Sequence, residues 1–400
     1  MNADNPSEAG ILSEKPDRTD APRPAGQPAK ALGAKGPTGI VLLNLGGPRD
    51  LDEVGPFLME LFQDREIIQL PFQRWLGPFI ARRRTPSVRK LYEGIGGGSP
   101  ILHWTEIQGQ GMVDRLDRLS PDTAPHRFYV AFRYARPTSE EALARMKADG
   151  VERAVAFTQY PHFSCATTGS SLNELWRAAE RSGLESAFHW SVIDRWPVDP
   201  GFVGAMAESV RRGLEEFSEA DRDEVLLLFS AHSLPLSVVD RGDPYPQEVS
   251  ATVHEVLEAG EFKNPFLLSY QSEVGPVRWL GPSTEQVIRD LGARHHKKVL
   301  VVGIAFTCDH IETLSEIDIE YRHLAESVGI TDFKRAPAFN DDPLFQEAMA
   351  GLVLRHLESG EVCSSQYGLR CPGCTNPQCR NILNPVGRFG QNRPGYGPLA

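Results

Sequence analysis

The chain predicts an α/β fold built on parallel sheets, and three observations carry that prediction. Short apolar runs rich in β-branched residues recur at residues 39–44 (GIVLLN), 127–132 (RFYVAF), 153–158 (RAVAFT), 224–229 (EVLLLF) and 299–304 (VLVVGI). Each reads as a strand buried on both faces. Helix patterns lie between them, for instance 138–149, 247–258 and 285–291. That alternation is the mark of sheets covered by helices on both sides. The third observation concerns the residues at the strand ends. Leu45-Gly46-Gly47, Arg133-Tyr134, Tyr160-Pro161-His162, His232 and Asp309-His310 come after the five runs. Ligands of open α/β sheets sit at the carboxyl ends of strands, so the five ends predict one cleft shared by two halves.

With 400 residues, 40% of them hydrophobic, the chain is long enough for one large or two ordinary domains. A net charge of −11 argues against nucleic acid as a partner, because phosphate binding needs a basic face. No apolar run approaches the roughly 20 residues that span a bilayer. Residues 1–37 are rich in Pro, Ala, Gly and charge without periodicity and read as a disordered tail. They lack the apolar core of a signal peptide, and their acidic residues make a poor transit sequence, which favours a cytoplasmic site. The expected division is a tail at 1–37, domains at 38–195 and 196–358, and a cysteine-rich extension at 359–400.

The densest chemistry lies at 297–321, KKVLVVGIAFTCDHIETLSEIDIEY. A helix is expected after the strand, capped by Thr307 or Asp309 and packed through Ile311, Leu314, Ile317 and Tyr321. Glu312, Glu316 and Glu320 recur every four residues, with His310 at the mouth. No Lys or Arg stands between Lys298 and Arg322, so the row repels itself. A solvated face is one reading; a ladder that receives a divalent cation or relays protons is the other. His232, expected just beyond its strand, suits proton transfer or metal ligation. Its neighbour Ser233 lacks a G-x-S-x-G frame, which argues against acyl transfer. GIGGGSP at 94–100 lacks the order of a nucleotide loop.

Two further segments stand apart. Residues 57–84 are apolar and aromatic, broken by two prolines, and close on Arg82-Arg83-Arg84. A helical hairpin over the core explains them; so does an exposed lip that touches a membrane and admits a flat, greasy ligand with carboxylates. Near the C-terminus, Cys363, Cys371, Cys374 and Cys379 are spaced for metal. By spacing, a local four-thiolate zinc site is slightly favoured over an iron–sulfur cluster that borrows a distant Cys165.

The motifs LNLGGP, IGGGSPI, FRYARP, FTQYPHFSCATTGSSLNELWR, FSAHSLP, RGDPYPQEVSAT, YQSEVGPVRWLGPSTE and IAFTCDHIETLSEIDIEY together resemble the ferrochelatase family. Its enzymes insert ferrous iron into protoporphyrin IX, the last step of haem synthesis. The resemblance runs from about Gly39 to Arg380 and is strongest toward the cluster-containing branch that includes the animal enzymes.

It implies two Rossmann-like domains of chelatase type around a porphyrin cleft. It implies catalytic roles for His232 and for Asp309, His310, Glu312 and Glu316, these four carried by a helix that is locally π-wound. Fe(II), a substrate, would be held by His232 and Glu312. Arg84, Tyr92 and Ser99 match porphyrin contacts, Arg133 and Tyr134 the metal-entry side, and Leu45 and Phe306 walls that press the ring. Cys165, Cys371, Cys374 and Cys379 match the ligands of a [2Fe–2S] cluster, which overrules the zinc preference and leaves Cys363 extra.

Two departures stand out. Leu45 replaces a familiar Met. Cys308 replaces a familiar Ser, which implies redox or heavy-metal sensitivity. Peripheral membrane association and a homodimer are compatible with the resemblance, on the cytoplasmic side or, alternatively, at the matrix face of the mitochondrial inner membrane.

Overall fold

A computed structural model describes residues 36–67, 70–275, 277–361 and 363. The tail and the three cysteines Cys371, Cys374 and Cys379 lie outside the described residues. The first half runs β1 (Thr38–Asn44), α1 (Val54–Gln63), α2 (Gln73–Gly94), α3 (Ile101–Leu119), β2 (His126–Phe132), α4 (Ser139–Ala148), β3 (Arg153–Thr158), α5 (Ser170–Arg181) and β4 (His189–Ile193). The second runs α6 (Pro200–Glu215), β5 (Leu226–His232), α7 (Leu236–Val239), α8 (Tyr245–Gly260), β6 (Phe266–Gln271), α9 (Thr284–Ala293) and β7 (Lys298–Gly303). A π-helix (Glu312–Tyr321), α10 (Arg322–Ser327), β8 (Asp332–Arg335) and α11 (Pro343–Ser359) complete it.

The strands form two four-stranded sheets, β2-β1-β3-β4 and β6-β5-β7-β8, with parallel pairing throughout. The two orders are the same, so each sheet reverses direction at its central pair, β1/β3 or β5/β7. That is where an open α/β sheet leaves a crevice. Alternation along β1 explains how the sheets share one interior. Ile40 and Leu42 join Phe229 of β5, Val302 of β7 and the buried sides of α6 and α11 in one core. Val41 and Leu43 face the other way, onto α4 and α5.

Helix ends obey local chemistry. Thr138 caps α4 in a reciprocal capping box with Glu141, and Asp199 and Asp342 cap α6 and α11 ahead of a first-turn proline. β3 lies where its run predicts; three of the other predicted strands shift by one residue, and β5 starts two residues later and ends three later. β5 extends through His232, so this histidine is the strand's last residue, not the one after it. The short strands β4, β6 and β8 carry no strong apolar run; sheet pairing creates them.

Candidate active site

The site is built where β5 and β7 end. Tyr245 of α8 donates its hydroxyl to the His232 carbonyl at 2.9 Å. The His232 Nδ1 lies 2.6 Å from the Ser233 carbonyl. A carbonyl only accepts, so Nδ1 carries hydrogen, and in the neutral ring Nε2 keeps its lone pair. His232 pairs in register with Gln271 of β6. The Gln271 amide in turn donates to the Glu312 carbonyl at 3.1 Å and to the Glu316 carboxylate at 2.9 Å. The histidine strand and the acid helix are thus joined through one glutamine.

The acid helix differs from the expected one. It is π-wound over Glu312–Tyr321, as the family resemblance implies, and neither Thr307 nor Asp309 caps it. Its buried residues are Thr313, Ser315, Ile317 and Tyr321, while Ile311 and Leu314 are only half-buried. The wider winding turns a different set of side chains inward.

The carboxylates are also better supplied than their sequence neighbours suggest. Glu316 accepts from Gln271, from the Ser272 backbone at 2.8 Å and hydroxyl, and from the Tyr321 hydroxyl at 2.7 Å. Ser272 reaches it from a left-handed backbone, φ 68°. Repulsion along the row persists at its far end, where burial and then Glu316 raise the Glu320 carboxyl above its ordinary range. The missing cation arrives from β8, as Arg335 pairs with Asp309 and Asp318. Both Asp309 oxygens are engaged, by Arg335 and Thr313 on one side and Asn340 on the other.

Capacity remains at His310 and Glu312. The His310 Nε2 lies 3.3 Å from the Glu312 carboxylate, and its ring packs edge-on against Phe306 with centroids 4.8 Å apart. Its Nδ1 is buried without a hydrogen-bond partner among the described residues. Gly303 admits this arrangement, because a Cβ there would approach the Phe306 ring to 3.0 Å.

The first sheet forms the opposite wall. Leu45 is half-buried and accepts from the Tyr134 backbone at 3.0 Å. Gly46, at φ 77°, has no room for a Cβ, which would fall 2.7 Å from the Phe132 ring. Ser99 donates its backbone N–H to Pro48 at 2.7 Å, which closes the glycine turn against β1. The Arg133 guanidinium stacks on Tyr134, 4.8 Å from the ring centroid, and binds Asp64 at 2.6 Å and Ser170 at 3.2 Å. The Tyr134 hydroxyl donates to the same Asp64 carboxylate. The polar ends of both residues are therefore spent on fastening the end of α1.

Ile311, at the entry of the acid helix, packs against a cluster of Leu58, Phe62, Ala81 and Tyr92 from α1 and α2. Burial raises the pKa of Tyr160, and the charges of Arg133 and Glu312 both reach it. Tyr92, only 3% exposed, is raised by burial and then by Glu312. Tyr92 packs with Phe62 and Ala81 beside Ile311.

The 57–84 segment is helical and leaves an apolar edge exposed. It is a helical hairpin that buries Leu58, Phe62 and Ala81 while exposing Phe72, Trp75 and Phe79 at 85%, 76% and 62%. Arg82 and Arg83 are exposed and Arg84 is half-buried over the Phe62 ring. None of the three meets a carboxylate among the described residues. Gly96 and Gly97 serve a turn at φ 106° and 97°. Gly98 lets the chain pass the Arg49 carbonyl, which a Cβ would meet at 2.1 Å.

The cysteines diverge. Cys165 is half-buried, its N–H held by Asp243 at 2.8 Å. Cys363 is buried and bridges to Val192 of the edge strand β4. Cys308 is 4% exposed, and burial pushes its thiol far up. The reactivity expected of Cys308 is corrected by its place among Ile101, Val130 and Phe132, since only an accessible thiolate reacts. Among the described residues no three His, Cys, Asp or Glu side chains converge on a metal.

Gln271, Ser272, Asn340 and Arg335 escaped sequence reasoning. The first two lie in the YQSEVGP motif; nothing local marks the others.

Fold and site define an α/β protein of two parallel sheets in which the ends of β5 and β7 carry a histidine–carboxylate site. The ferrochelatase family model matches residues 37–357. A mitochondrial ferrochelatase of Xenopus laevis is 52% identical over 386 residues, covering 94% of this chain and 93% of that one. Those of Bos taurus and Homo sapiens are 52% and 51% identical over 373 residues, each covering 93% of this chain and 89% and 88% of their own. The chain belongs to the ferrochelatase family.

Proposed function

We infer that this chain inserts Fe(II) into protoporphyrin IX with release of two protons, giving protohaem. The observation that carries the site assignment is the His232–Gln271–Glu312/Glu316 linkage. It presents a basic ring nitrogen and a carboxylate from neighbouring elements.

Insertion breaks two pyrrole N–H bonds and forms bonds from iron to the ring nitrogens, with no change in iron's redox state. His232 Nε2 has a single lone pair: it helps Glu312 hold Fe(II) first and accepts one pyrrole proton once the iron has passed to the ring, while the other proton goes to the Glu312 carboxylate that the iron vacates. Glu312, with His232, holds the entering Fe(II); oxygen and imidazole nitrogen suit a divalent iron in transit. His310, beside Glu312, and the clasped Glu316 pass protons away along the acid helix. Leu45 and Phe306 press the macrocycle out of plane, exposing its lone pairs. The propionates meet the Arg84, Tyr92 and Ser99 region, where Arg82, Arg83 and Arg84 meet no carboxylate among the described residues. Arg133 and Tyr134, anchored to Asp64, keep the metal-entry wall in place. We assign the boundary between the halves to 195/196.

Phe72, Trp75 and Phe79 form an apolar edge beside basic residues, the composition of a peripheral membrane contact. No described helix is long and apolar enough to cross a membrane. The mitochondrial names of the relatives favour the matrix-face alternative over the cytoplasmic one.

Four cysteines are proposed to hold a [2Fe–2S] group: Cys165, Cys371, Cys374 and Cys379. The fit rests on Cys165 being held at the protein edge by Asp243 and on Cys363 bringing the C-terminal chain onto β4. Such a group supplies electron-transfer capacity that this redox-neutral reaction does not use, so stability or sensing suits it better.

The experiment is anaerobic Fe(II) insertion by purified protein, followed as loss of porphyrin fluorescence after recording the visible spectrum. Turnover is expected, with cluster absorption. A folded protein that binds porphyrin without metalating it would overturn the activity; turnover with zinc in place of a cluster would overturn the cysteine assignment alone.

A further inference from the structure

A π-helix of ten residues, Glu312–Tyr321, needs an explanation, because π winding is rare and mostly confined to single turns. Something outside the helix must favour it over α winding.

Two contacts read the winding directly. The Tyr321 hydroxyl donates to Glu316 at 2.7 Å and the Ser315 hydroxyl to Glu320 at 3.3 Å, both five residues apart. Residues so spaced lie about 140° apart around an α-helix. They lie only about 50° apart when each turn takes about 4.4 residues, the i→i+5 pattern.

A third contact comes from β8. Arg335 Nε and Nη2 grip the two Asp318 oxygens at 2.9 and 2.8 Å. Its Nη1 reaches Asp309 at 3.1 Å. Asp318 lies inside the π-helix and Asp309 on the loop that leads into it. One guanidinium spans them only when they come round to the same side. Asp309 is pinned further, by Thr313 at 3.0 Å and Asn340 at 2.8 Å. Gln108 of α3 donates to the Thr307 and Asn340 carbonyls at 2.9 and 3.0 Å, which fixes the loop that carries Asp309.

We propose that Arg335 is a positioning residue that selects the π winding of the acid helix by tying its entry at Asp309 to its middle at Asp318. This rests on the iron-insertion reading for its effect on the reaction. Arg335 touches no substrate. If the helix rewound, Asp318 would swing off the guanidinium and Glu316 would leave Gln271 and Ser272. Glu312 and Glu316 would then lose the alignment on which metal handling depends.

The test compares Arg335→Lys, Arg335→Gln and the charge-matched Arg335→Gln/Asp318→Asn with the parent protein. It uses steady-state kinetics in Fe(II) and in protoporphyrin, amide hydrogen exchange over 312–321, and thermal melting. The double variant removes the Asp318 carboxylate together with the cation, keeps the parent's net charge and leaves Asp309 to Thr313 and Asn340; thermal melting checks that it folds. Partners that orient metal-handling groups are worth about 10- to 100-fold when removed. The expected result for the double variant is a fall of that size in kcat/KM for Fe(II) with the protoporphyrin KM unchanged. Exchange protection over 312–321 falls, and the melting temperature is retained. Arg335→Lys, with one cationic head instead of a fork, falls between.

Unchanged protection over 312–321 in the folded double variant would overturn the proposal. So would a fall in protection confined to β8. If the parent protein itself fails to metalate porphyrin, the iron-insertion reading fails, and exchange over 312–321 still decides the winding claim.

Discussion

Two histidines at strand ends, one on each sheet, show how the same residue type is put to opposite use. His162 lies just past β3 and is 1% exposed, its Nε2 bound to Thr252 at 2.8 Å. Burial lowers its pKa to about 3, so it is held neutral as a packing element. His232 ends β5 half-buried, with one nitrogen committed to a carbonyl and the other able to take a proton.

The sheets divide in the same way. At the first, Arg133 and Tyr134 are consumed by Asp64, and Arg195 is buried between Asp194 and Glu248. At the second, His232, His310 and Glu312 keep unused capacity. A symmetric topology thus yields one structural wall and one reactive wall. Strand ends alone do not say which is which.

The largest effect should come from His232→Ala. Loss of a general base costs about 10²- to 10⁴-fold, so metalation should nearly vanish while fluorescence titration still reports porphyrin binding. Retained turnover would move the reactive wall elsewhere.

Arg133→Ala should act on stability first. It strands Asp64, whose side chain is only 8% exposed, and breaking such a buried pair costs about 3–5 kcal/mol. A loss of activity with an unchanged denaturation midpoint would instead make Arg133 part of the chemistry.

His162→Gln is expected to remove an acid sensitivity. A histidine with a depressed folded pKa binds fewer protons folded than unfolded, so stability falls as pH drops from about 6.5 toward about 3. The slope is at most about 1.4 kcal/mol per pH unit. Urea unfolding across pH 5 to 7.5 should show a shallower decline in the variant than in the parent.

Cys308→Ser should do least. The native thiol should resist maleimide until the protein is unfolded, and the variant's turnover should stay unchanged. Rapid labelling of Cys308 in the folded enzyme would restore the sensitivity that its sequence position implies.

Part of this was legible in the residues alone. The run at 153–158 coincides with β3, and the other four runs predicted β1, β2, β5 and β7 to within one to three residues, because a strand buried on both faces must be apolar at every position. The helix expected at 138–149 is α4, whose start is fixed locally by the Thr138–Glu141 capping box. The five strand ends pointed to the cleft, and the apolar residues that the hairpin exposes were visible as an aromatic run between prolines.

Tertiary structure decided the rest. β4, β6 and β8 exist because neighbouring strands offer them partners. Which carboxylates stay available depends on donors far away in sequence: Gln271 and Ser272 for Glu316, Arg335 for Asp309 and Asp318. Cys308 is adjacent to Asp309 in the chain, yet it points into an apolar cluster. Local sequence sets backbone preference and burial pattern. Charge balance and winding are settled by whatever the fold brings within hydrogen-bonding reach.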